Sequence, residues 1–197
     1  DKKAVVGLGA MAFGADKMGL SDQEMQEIVT QWRAASPEIP QLWRDVENAA
    51  KRAINHPGLK CACRAAVYRR DADALRCELS SGRVLSYWAP GFDEEGGIVF
   101  MGQSQTTRKW ERTGTWGGKL VENIVQAFAR DCLAVAMLRL EKAGWKICFH
   151  VHDEVIVEAP QGSRWEDVAE IMGQPLKWAT GLLLRGDGYE TPYYRKD

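Results

Sequence analysis

The chain has 197 residues, 45% of them hydrophobic and 27% charged, with a formal net charge of −1. That composition supports one or two ordinary globular cores and excludes a chain that is basic overall, which counts against simple electrostatic capture of nucleic acid. The cysteines, Cys61, Cys63, Cys77, Cys132 and Cys148, are odd in number and scattered. They read as reduced thiols in a cytoplasmic protein rather than a disulfide framework, and no stretch approaches the ~20 apolar residues of a membrane helix.

In chain order, residues 1–58 read as helical. Asp22 to Ala34 is amphipathic with Ser21 as its N-cap, and Pro40 to Asn55 is a second helix that stops near His56-Pro57-Gly58. Gly7-Leu8-Gly9 does not make a dinucleotide loop, because no strand precedes it and the third glycine is misplaced. Residues 59–105 are strand-rich, with Tyr68, Leu75 and Val84 in short runs and turns at Asp71-Ala72-Asp73 and Ser81-Gly82. Cys61-Ala62-Cys63 lacks the second pair or nearby histidine that zinc requires. From Gly114 a long helix runs to about Ala143, with Gly144 placed to end it. Leu120, Ile124, Ala127, Leu133 and Leu138 supply its apolar positions. Lys119, Asn123, Gln126 and Arg130, at i, i+4, i+7 and i+11, form one polar stripe. A solvated face is the ordinary reading of such a stripe, but amides can donate to the minor-groove acceptors that every base pair presents. Ser163 to Met172 is a further helix, with Ser163 and Glu166 at capping-box spacing. Gly186 to Tyr194 reads as a loop and a short strand. The expected fold class is α+β, a helical segment (1–58) followed by an antiparallel sheet with packed helices (59–197).

Between the long helix and Ser163, one apolar strand climbs through Ile147 and Phe149 to Val151, and another leaves through Val155, Ile156 and Val157. The turn between them contains His152, Asp153 and Glu154 and no Gly or Asn. Hairpins prefer residues that tolerate positive φ, and exceptions to local rules concentrate at functional sites. Hard and borderline ligands at the tip of a stiff hairpin suit a divalent metal. A hydrolase site on His150, His152 and Asp153 is the weaker reading, since the third histidine, His56, is far away in sequence.

His152-Asp153-Glu154 between apolar strands resembles motif C of the family A DNA polymerases, the DNA polymerase I type. Gly114 to Asp131 is similar to a segment of the phage and prophage members of that family, in the right order upstream. Asp1 to Gly14 resembles the late part of motif B, the fingers helix, with Ala10 where a tyrosine is usual. Ser81 to Tyr87, with Lys109-Trp110, is also similar to the phage-type enzymes. The resemblance covers nearly the whole chain. It implies a helical fingers-type segment and a palm-type sheet. It implies template-directed DNA synthesis with two Mg²⁺ ions, acting on primer-template DNA and deoxynucleoside triphosphates. Asp153 and Glu154 would serve the metal, and His152 would orient the primer end. Lys2, Val6 and Ala10 would meet the nucleotide. The polar stripe of Lys119, Asn123, Gln126 and Arg130 would meet nucleic acid, with Arg83 either near it or simply an exposed strand arginine. The family's motif A carboxylate has no counterpart here, so the chain reads as a C-terminal fragment that is inactive without an upstream portion carrying motif A. The alternative is an inactive polymerase-derived remnant that binds DNA or a partner.

Overall fold

The computed structural model describes residues 21–64, 66–104 and 106–194. Helix α1 spans Asp22–Ala35 and α2 spans Glu38–Asn55. Ser21 caps α1 as expected, and Glu24 completes a capping box: its carboxylate accepts from the Ser21 N–H at 2.8 Å while its own N–H donates to the Ser21 hydroxyl at 3.3 Å. Helix α2 starts slightly before Pro40, which sits in the first turn, where the missing N–H has no helical partner to lose. Val46, Ala50, Ala53 and Ile54 repeat at helical spacing and form its buried face.

Six strands follow: β1 (Cys61–Cys63), β2 (Ala66–Arg70), β3 (Ala74–Leu79), β4 (Val84–Phe92), β5 (Ile98–Gln103) and β6 (Trp110–Thr115). They pair antiparallel in simple sequence order, β1-β2-β3-β4-β5-β6. Alternation along each strand puts Tyr68, Leu75, Cys77, Tyr87 and Ile98 on one face, in one core with α2. Cys61 and Cys63 belong to that core. Gly114 and Thr115, read from sequence as the start of the long helix, instead pair with Val99 and Ile98 as the end of β6. Ladder hydrogen bonds to β5 outweigh whatever helical preference those residues have.

The long helix, α3, spans Gly117–Lys142. Its start is fixed by close packing on α2. A Cβ on Gly117 would lie 2.0 Å from the Trp43 carbonyl oxygen, and the Gly117 N–H donates to Glu47 at 2.9 Å. Leu120 is fully buried, with Val121, Ile124 and Ala127 packed on the same core. After Gly144, which turns with φ 91°, β7 (Lys146–Val151) and β8 (Glu154–Glu158) form a separate two-stranded hairpin.

Helix α4 spans Trp165–Met172 and packs on α3. The capping box expected from Ser163 and Glu166 does not form. The Ser163 N–H closes a turn on the Pro160 carbonyl at 3.1 Å, and the helix begins after Arg164 without a side-chain cap. The rest of the chain runs without a strand through the described residues, pinned to α3 by Arg139, which donates to the Gln174 and Pro175 carbonyls at 2.7 and 2.8 Å. The class is α+β, with helices on one face of an antiparallel sheet. No helix among the described residues is long and apolar enough to cross a membrane.

Candidate active site at the hairpin turn

Val151 pairs with Glu154, so His152 and Asp153 alone make the turn between β7 and β8. His152 takes φ 50°, a left-handed conformation that a two-residue turn usually gives to glycine. All three residues of the triplet are exposed. Lower in the hairpin a β-bulge between Ile147 and Phe149 shifts the register, and such bulges re-aim side chains next to functional sites. The hairpin buries little: none of its residues is fully buried, and Phe149 is 43% exposed.

Asp153 borders a cavity of about 620 Å³ whose walls are mostly apolar, among them Val125, Phe128 and Leu133 of α3, with Arg64 and Arg185 as its cations. Two adjacent carboxylates, Asp153 and Glu154, are the right donors for a hard cation but too few for the six oxygens Mg²⁺ wants. Among the described residues, no three His, Cys, Asp or Glu side chains converge to hold a metal.

Lys119, Asn123, Gln126 and Arg130 are all exposed on α3. Each immediately precedes a residue of the inward row Leu120, Ile124, Ala127 and Asp131, so the stripe lies along the edge of the buried face. Two of its members reach neighbouring elements. Asn123 donates to the Tyr87 hydroxyl at 3.0 Å; burial pushes the Tyr87 phenol up to about 12, with the Asn123 bond opposing. Arg130 lies 3.3 Å from His150 Nε2. A guanidinium can only donate, so that nitrogen accepts. The stripe and the hairpin are thus joined through Arg130 and His150.

Arg83 is turned toward Asp131. Its guanidinium donates to the Asp131 carboxylate at 2.7 Å, and the Ser81 hydroxyl donates to the other oxygen at 2.5 Å. Sequence reasoning missed this anchor. The available signal was a carboxylate at i+11 from Leu120, in phase with the apolar row. Burial raises the Asp131 pKa, but the Arg83 and Ser81 bonds and the charges of Arg83 and Arg130 outweigh it, holding the carboxyl below its ordinary value of 3.8. A depressed pKa adds stability above that ordinary value, lost as pH falls through the folded one. Asp131→Asn is accordingly expected to cost about 2 kcal/mol at pH 7, the scale of hydrogen bonds to a charged group. The gap to the parent protein should narrow on acidification below 3.8. Denaturant melts across that range check it; a loss independent of pH would assign the effect to packing.

Lys2, Val6 and Ala10 lie outside the described residues.

No protein-family model matches the sequence, and no solved structure matches it. The chain is similar to the DNA polymerase of Bacillus phage SP02, with 43% identity over 198 aligned residues. That alignment covers 97% of this chain and 30% of the phage protein, so the chain spans about a third of its relative's length.

Proposed function

We propose that this chain carries the motif B to motif C portion of a family A DNA polymerase. It would supply one of the two carboxylates that hold the catalytic Mg²⁺. The observation that carries the reading is the 43% identity to a phage DNA polymerase over 97% of the chain. An alignment of that extent necessarily runs through α3 and the hairpin. The hairpin geometry supports it, since Asp153 stands exposed on a turn of only two residues.

In this reading Asp153 and Glu154 would hold Mg²⁺, whose charge would neutralise the oxygens of the transferring phosphoryl group. Asp153 would provide the main carboxylate, Glu154 would assist it, and His152 would orient the primer 3′ end. Lys2, with Val6 and Ala10 on the same helical face, would hold the deoxynucleoside triphosphate. Lys119, Asn123, Gln126 and Arg130 would follow the minor groove of the primer-template, and Arg83 would act through Asp131 by holding the β3–β4 turn beside that stripe. The second carboxylate would come from an upstream portion carrying motif A. The half-exposed apolar residues of the hairpin, Ile147, Val151, Val155 and Ile156, suit a further strand or layer laid against it.

The test is primer extension with Mg²⁺ by the chain alone and by the chain assembled with an upstream fragment bearing motif A. Extension is expected only from the assembly. Robust synthesis by the chain alone would overturn the split site, and an inactive but properly assembled pair would favour a remnant that binds DNA without copying it.

A further inference from the structure

One face of the six-stranded sheet packs on α2 and α3, and the other carries exposed side chains. Register and alternation place Arg76, Trp88, Met101, Arg112, Gln103 and Trp110 on that outer face. Trp88 pairs with Met101, Met101 with Arg112, and Gln103 with Trp110. Trp88 is 42% exposed and Trp110 61%. Their backbones are separated by two strand spacings and two residues, about 12 Å from sheet dimensions.

Two arginines are fixed beside these rings. The Arg76 guanidinium lies 5.0 Å from the centre of the Trp88 ring. It is steadied there by the Ser86 hydroxyl at 2.5 Å and by Asp71 at 3.3 Å. Arg112 reaches across the β4 bulge to the Ala89 carbonyl at 3.4 Å. The β5–β6 turn adds exposed Arg108 and Lys109 next to Trp110. With Arg69, five cations lie on this face and its turns against the four carboxylates of Asp71, Asp73, Glu78 and Glu111. This local balance is positive although the chain as a whole is at −1.

We propose that this outer face binds single-stranded DNA, with bases stacked on Trp88 and Trp110 and phosphates met by the surrounding arginines. Exposed rings on a sheet, interleaved with cations, are the arrangement that takes unstacked bases of any sequence. A broad sheet face can meet a duplex groove only if the duplex is deformed, whereas a single strand can lie along it with its bases unstacked. This surface is separate from the hairpin turn and does not depend on the polymerase reading.

The experiment is fluorescence anisotropy of a labelled 15-nucleotide oligo-dT with the full chain, against a duplex of equal length, at low salt. The single strand is expected to bind at least tenfold more tightly than the duplex. Trp88→Leu with Trp110→Leu should weaken it tenfold or more, since two base–ring stacks of about 1 kcal/mol or more each together exceed that factor. Trp88→Phe with Trp110→Phe should stay within about threefold of the parent, because a phenyl ring still stacks. Circular dichroism confirms that both variants fold, and the Phe pair keeps the test decisive if the Leu pair does not. Binding unaffected by the Leu pair, loss in the Phe pair, or preference for the duplex would each overturn the proposal. So would loss of oligo-dT binding in Asp153→Asn, which would move the site to the hairpin. A dimer that the Leu pair dissolves, with no oligo-dT binding, would reassign the face to self-association.

Discussion

Under the proposed function, Asp153→Asn should lower primer extension by the chain assembled with a motif A fragment by at least ~10³-fold while leaving the fold intact. Phosphoryl transfer depends almost wholly on positioning and on neutralising charge, and loss of even one neutral oxyanion donor costs ~10²–10³-fold. The amide is nearly isosteric, and Asp153 is exposed on the turn. Single-turnover extension with saturating Mg²⁺ and nucleotide, alongside a thermal melt, measures both parts. Activity within tenfold of the parent would remove Asp153 from the proposed metal-binding role.

His152→Gly should separate stability from activity. A non-glycine residue held at φ 50° carries roughly 1 kcal/mol of strain or more, and glycine adopts that conformation freely. The melting temperature is therefore expected to hold or rise. Extension by the assembled enzyme should nevertheless fall about 10²-fold, the scale of losing a group that positions a reacting end. A fall in melting temperature with extension preserved would show His152 to be a turn residue only.

The hairpin and the long helix were legible because each is written locally. Apolar runs flank His152-Asp153, and Leu120, Ile124 and Ala127 recur at helical spacing. The Ser21 cap was legible for the same reason, since its partner Glu24 lies three residues on. Ser163 and Glu166 show the same spacing without the outcome, because the preceding turn on Pro160 claims the Ser163 amide first. Gly114 and Thr115 were misread because their partners, Val99 and Ile98, lie on another strand. The site divides in the same way. The triplet at the turn is local, whereas the Arg83–Asp131 anchor joins residues 48 apart, and the Asn123–Tyr87 bond joins residues 36 apart. Such pairings appear only when helix and sheet are laid against each other.

The strand order β1 to β6 has a kinetic meaning as well. Every ladder in the sheet joins strands adjacent in sequence, so each pairing closes only a short loop and pays little entropy before its hydrogen bonds form. The sheet can therefore grow by accretion, hairpin upon hairpin, as the ribosome releases residues 61–115. Helix α3 emerges next and finds its docking surface already assembled. The contact between α2 and Gly117, 70 residues apart through Glu47, would be a late event on that route.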